Sequence, residues 1–206
     1  ALGEAHPSLV DQLSDFVNTK NLPASISHFY ERTTDYRLFA SVKWQLWFKP
    51  FAFIYQWISR RIQQLNLPFN SDVEEMTGTI HLVDENIDKR EKPRVWKRTI
   101  RDKTVFVAIY SKHTSHGKTY MNIALPLPFS TMMGILTLKE QNGALHLASK
   151  GAADAGVYLS IGRYTLKLPL QEHFIIQQKG DTLTATHDMT IFGLHFLHID
   201  YTIHLK

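Results

Sequence analysis

GLHFLHIDYTIHLK, residues 193–206, decides how this chain is read. Leu197, Ile199, Tyr201, Ile203 and Leu205 share one parity, and His198, Asp200, Thr202 and His204 share the other. A period of two is that of a strand with one buried and one wetted face. By the same parity His195 falls on the apolar side. Three histidines and an aspartate so close together also suggest a metal centre, but alternate residues on a strand stand about 6.5 to 7 Å apart. Zinc needs three or four donors converging at about 2.0–2.3 Å, and an HxxH spacing on a strand divides its histidines between two faces. The polar row is therefore read as a wet outer face, and no metal is expected there or at His113 and His116 on a hairpin tip.

Working back along the chain, the same period recurs in runs near 74–83, 94–101, 104–112, 119–125, 132–140, 143–150, 156–167, 171–179 and 182–190. Turn chemistry such as Gln141-Asn142-Gly143 and Lys179-Gly180-Asp181 separates them. Roughly ten strands with short links and no intervening helices predict an antiparallel meander. A sheet that long must curl or close into a barrel. The charged piece 84–94, DENIDKREKPR, reads as a solvated hairpin loop.

The first 70 residues read as helical. Leu9, Leu13, Phe16 and Val17 follow Pro7-Ser8 at helical spacing, and Leu22-Pro23 opens a second helix carrying Ile26, Phe29 and Tyr30. A third helical stretch begins near Leu38 and meets Pro50, which marks a kink or a fresh start. Beyond it Phe51, Ile54, Tyr55, Ile58, Ile62 and Leu65 make a stripe. The expected class is α+β: one domain, 1–206, with N-terminal helices over 1–70 and an antiparallel β part over 71–206, forming a strongly curved sheet or barrel.

Composition narrows the function. The chain has 206 residues, 44% hydrophobic and 20% charged, which is a globular balance. It has no cysteine, so disulfides, thiolate zinc sites and cysteine nucleophiles are excluded. The start, ALGEAHPSLV, lacks the basic and apolar run of a signal peptide, and no segment reaches the length of a membrane span. These features point to a cytoplasmic protein that can lie peripherally on a membrane. The net charge is +4, yet residues 36–71 contain no acid and hold ten of the 24 aromatics. That asymmetry marks one anion-facing surface. Lys43, Trp44, Trp47, Lys49, Phe53, Trp57, Arg60 and Arg61 combine interfacial aromatics with cations, the chemistry of an anionic membrane surface. Nucleic acid is not the expected partner, because the cations lie among Trp and Phe with few polar readers.

No glycine-rich phosphate loop, GxSxG elbow or HExxH motif is present. Trp96 and Arg98 share a face of one strand, and Glu172 and His173 divide between the faces of another. A Glu172 turned inward needs a partner, and Arg98 is available. Trp96, Arg98, Tyr110, Glu172 and His198 are therefore the candidate ligand-binding residues. The reading is a non-catalytic module without cofactor that binds an apolar or lipid-like ligand or an anionic membrane surface. The alternative is an enzyme or substrate-binding domain acting on a small acidic or apolar substrate, with Arg98 as anchor and Glu172 or His198 moving protons.

The order of segments is also familiar. LNLP (65–68), VWKRTI (95–100), VFVAIYS (105–111), NGALHLAS (142–149), LKLPLQEHFIIQQ (166–178) and IFGLHFLHIDYTI (191–203) resemble the bacterial family known as domain of unknown function 4166. The resemblance spans most of the chain from about residue 25. It rests on the W-x-R of Trp96 and Arg98, the acid after LPL (Glu172), and Phe192-Gly193. Some members follow a saccharopine-dehydrogenase-like reductase module. No nucleotide-binding half occurs here, so nicotinamide chemistry is not implied.

Overall fold

The computed structural model describes residues 3–51, 73–101, 103–151 and 153–206. Its twelve described strands are β1 (Tyr36–Trp44), β2 (Glu74–Leu82), β3 (Glu91–Ile100), β4 (Lys103–Ser115), β5 (Lys118–Leu127), β6 (Ser130–Gln141), β7 (Ala144–Ala148), β8 (Gly156–Ile161), β9 (Tyr164–Lys167), β10 (Leu170–Lys179), β11 (Thr182–Ile191) and β12 (Leu194–Leu205). Neighbours run β5-β4-β3-β2-β1-β12-β11-β10-β7-β6, and β6 also pairs with β5, which closes the ring. Every pairing is antiparallel, and the β5–β6 pairing closes ten of the strands into a barrel. The hairpin β8–β9 joins along the first half of β6.

The strands found from 74 onward match the alternating runs of the sequence, with 156–167 split in two by a turn at Gly162. Three other expectations are corrected. Residues 36–44 are not helix but strand β1. Tyr36, Leu38, Ala40 and Val42 are buried on one parity, and all nine residues pair with β12. Lodging a strand between β12 and β2 closes the barrel, and that tertiary gain overrides local helical spacing. Residues 7–17 hold only a 3-10 turn at Leu13–Asp15. Their backbone is held by other parts of the molecule: Leu9 and Val10 amides donate to the Tyr30 carbonyl, and the Leu13 amide to Glu31. The 84–94 loop contains a short helix, α2 (Glu85–Asp88), capped by Asp84. The stripe at 54–65 lies outside the described residues.

The helix opened by Leu22-Pro23 is present as α1 (Ala24–Glu31), with Ile26, Phe29 and Tyr30 buried. Pro50 sits in helical backbone at residues 49–51, the fresh start its ring favours. Together α1 and the segment before it floor one end of the barrel. Leu9, Phe29 and Tyr30 face the interior from below, and Ser25 donates to Gln178 at the foot of β10. Arg94 and Lys92 of β3 clamp the segment through Asp11, and Arg94 also donates to Ser8. The other end carries the tips between β3 and β4, β5 and β6, β8 and β9, and β11 and β12.

Candidate functional site, the barrel interior

Parity puts one row of each strand inside. β1 contributes Leu38, β12 contributes Ile199, Tyr201 and Ile203, and β10 contributes Glu172, Phe174 and Ile176. These inward rows do not meet at the centre. They enclose a cavity of about 330 Å³, at the lower end of the roughly 300–1,000 Å³ typical of small-molecule sites. A packing defect of that volume would cost on the order of 8 kcal/mol at about 24 cal/mol per Å³. That rivals the whole stability of an ordinary domain, about 5–15 kcal/mol. The space is a feature of the fold.

Its walls are mostly apolar, with Arg98, Tyr110, Tyr201, Glu172 and His187 among their polar groups. Arg98 is 9% exposed, and its guanidinium lies 4.4 Å from the Trp96 ring centroid and 4.0 Å from that of Phe106. Such stacking holds a cation where water cannot. Its Nη1 approaches the sulfur of Met76 at 3.9 Å, the guanidinium also donates to the Tyr201 hydroxyl, and its Nε is buried without a hydrogen-bond partner. Burial pushes the Tyr201 hydroxyl up, and the nearby Arg98 guanidinium pulls against that rise. Tyr110 is pushed up to about 12 by burial, again opposed by Arg98. Both phenols therefore stay protonated donors at neutral pH.

Glu172 does turn inward, but its ion-pair partner among the described residues is His187 of β11, not Arg98. His187 Nε2 stands 3.4 Å from Glu172 Oε2 without hydrogen-bond alignment, and its ring stacks on Phe174 with centroids 3.7 Å apart. Gly134 on β6 makes room for the carboxylate, since a Cβ there would fall 2.2 Å from Glu172 Oε1. The opposite wall repeats the device: a Cβ on Gly78 would fall 2.4 Å from the Trp96 Nε1.

Of the candidate ligand residues, then, Trp96, Arg98, Tyr110 and Glu172 share this cavity. His198 does not; it is on the outer wall. There its Nδ1 meets Asp188 Oδ1 at 2.7 Å and its Nε2 meets Asp200 Oδ1 at 3.0 Å, while Lys43 pairs with Asp200 at 2.7 Å. Burial disfavours its charged form, but the two aspartates outweigh that and raise its pKa. His195 is also exposed rather than apolar-facing. A β-bulge between Met189 and Thr190 pairings lets Phe196 and Leu197 both line the cavity, and the parity before them is reversed.

Of the residues expected on a membrane surface, Lys43 is in that outer ion pair and Trp44 is corrected to a cavity residue. The Trp44 ring stacks on Phe48 at 5.8 Å, and its Nε1 is buried without a partner. Trp47 is partly exposed and donates to the His195 carbonyl; Lys49 is half-buried. Phe53, Trp57, Arg60 and Arg61 lie outside the described residues. His187 and Tyr201 were passed over in the sequence. Their inward parity, beside Ala185 and Ile199, was the available signal.

With this geometry in view, comparison with known proteins adds one relative. The chain is 43% identical over 209 residues to the Uncharacterized membrane protein YndJ of Bacillus subtilis (strain 168), across 96% of this chain and 38% of that protein. This chain thus spans well under half the length of that relative. No family model matches, and no solved structure matches. Among the described residues no helix is long and apolar enough to cross a membrane, which says nothing of strands.

Proposed function

We propose that the barrel is a non-catalytic binding module for one apolar, lipid-like ligand whose anionic end meets Arg98. The carrying observation is a buried guanidinium without a carboxylate partner among the described ion pairs, set in a cavity whose lining is mostly apolar. A buried charge is tolerated when something pairs with it, and a carboxylate or phosphate completes the fork of Arg98. Tyr201 and Tyr110 supply neutral donors beside it, and Met76, Phe106 and Ile199 take the apolar body. We further propose membership of the domain of unknown function 4166 family, on the W-x-R, Glu172 and Phe192-Gly193 motifs.

A second reading, acid–base chemistry on a small acidic or apolar substrate, draws on the Glu172–His187 pair at 3.4 Å inside the same cavity. The binding reading is preferred because the constellation offers a cation without an arranged nucleophile. Titration of delipidated protein with a fluorescent long-chain fatty acid tests it. Saturable one-to-one binding is expected, weakened about tenfold or more in Arg98→Met. Binding that ignores Arg98, or that never saturates, would sink the reading.

A further inference from the structure

We infer that the end of the barrel opposite the floor is a docking surface for an anionic lipid bilayer, built from hairpin tips. The two ends of the molecule differ chemically. At the floored end the tips are polar: His116-Gly117, Asn142-Gly143 and Gly180-Asp181. At the other end they are apolar. Phe129, between β5 and β6, is 97% exposed, and Phe192, between β11 and β12, is 78% exposed. Leu194 follows it, Ile161 and Tyr164 flank the β8–β9 turn, and Leu46 and Trp47 project after β1. Among the described residues, most of the exposed large hydrophobics sit at this end, while Leu82 and Leu205 lie at the floored end and Val73 and Leu166 on the flanks. A one-ended apolar crown marks an interaction site rather than scattered surface residues.

Backbone conformation gives an independent sign. Phe129 and Phe192 have φ of 58° and 50°, the left-handed region in which a bulky side chain is strained. At the floored end such positions are held by Asn142, Gly117, Gly143 and Gly180, with the polar His116, Lys89 and Lys92, and by no apolar aromatic residue among the described residues. Phenylalanine in a place suited to asparagine or glycine weakens the turn and presents a ring to whatever lies beyond it.

Charge selects the occupant. The tips at 46–51, 128–130, 161–164 and 191–194 contain no acid but include Lys49 and Arg163. The next tip carries Arg101 and Lys103 around Asp102, with Arg101 paired to Glu74. Aromatic rings among Lys and Arg match the headgroup zone of an anionic leaflet, where rings insert and cations stay in the phosphate layer. The crown also surrounds the end of the cavity opposite its floor, where Trp44, Phe48, Leu127 and Leu170 line it. The crown stands as an inference whether or not the cavity holds a ligand.

Vesicle flotation tests it, using phosphatidylcholine vesicles with and without 30 mole per cent phosphatidylglycerol, as about a one-third anionic leaflet carries a strong surface potential. The parent chain is expected to float with the anionic vesicles and to be released by salt. Phe129→Asn with Phe192→Asn should cut partitioning at least tenfold while leaving the melting temperature unchanged or higher, because asparagine relieves the backbone. Loss of binding through misfolding is thereby excluded by the same sample. No flotation of the parent, equal binding to neutral vesicles, or undiminished binding of the double variant would each overturn the inference. So would self-association that these substitutions abolish in place of vesicle binding, which would assign the crown to a second copy of the chain. Arg98→Met should float like the parent, which separates failure of the crown from failure of the ligand reading.

Discussion

At the residue scale, two charged clusters on opposite faces of one wall behave differently because of what surrounds them. Inside, Arg98 is held by rings and has an unpartnered Nε; outside, His198 sits between two aspartates. The outer cluster has a definite pH signature. The His198 pKa is raised above 6.5, against burial, by Asp188 and Asp200, so its stabilisation is complete below about pH 6.5 and fades as pH rises through the folded value. The Asp200 pKa is lowered despite burial, by Lys43 and His198, so its contribution is present above 3.8 and fades in acid. Chemical denaturation of the parent and His198→Gln at pH 5 and pH 8 should give a larger gap at pH 5. A gap of equal size at both would show that the aspartates do not act on this ring. The row was legible in the sequence as a wet face. Its use as an ion-pair chain was not, because Lys43 comes from a strand 157 positions away.

Elements were legible where one rule governed them. From 74 onward strands such as β6, where Gly134, Leu136 and Leu138 are buried between less buried neighbours, bury one face and wet the other, and period two is then visible without neighbours. β1 escaped that reading since Leu38, Phe39, Val42 and Trp44 also suit a helix. Only its nine-residue register with β12 decides the matter, and pairing between the two ends of the chain leaves no local mark. The bulge at Phe196 likewise has no signature, yet it reverses His195 and adds a second aromatic wall. Register of this kind puts Gly134 opposite the Glu172 side chain. Gly134→Ala should therefore destabilise the barrel by about 1–3 kcal/mol through overpacking against a buried carboxylate. Adding Glu172→Ala removes the obstructing group, so the double variant should be less destabilised than the sum of the two single changes. Strict additivity in urea denaturation would mean that β6 and β10 do not meet there as described.

On the scale of the whole molecule, a floored barrel around an internal cavity gives a testable link between filling and stability. The floor belongs to the core: Leu13 and Ile26 are fully buried, so truncating Ile26 to alanine should cost about 2–5 kcal/mol. The cavity above it is bounded by side chains that lack apolar neighbours on one side, and a ligand that supplies them binds only the folded chain. Linkage then sets the size of the response. At a free ligand concentration a hundred times Kd, the folded state gains about 2.7 kcal/mol. For a domain of this length each kcal/mol raises the melting temperature by about 2–4 °C, so a rise of about 5–11 °C is expected with a saturating long-chain fatty acid. Arg98→Met should flatten this response more than a matched apolar change such as Ile199→Val, since it removes the anchor and leaves the walls. A long-chain alcohol, which lacks the anion, should shift the parent less than the acid does. If acid and alcohol stabilise parent and Arg98→Met alike, the cavity reads only hydrocarbon, and the guanidinium must be assigned to holding Trp96 and Phe106 in place.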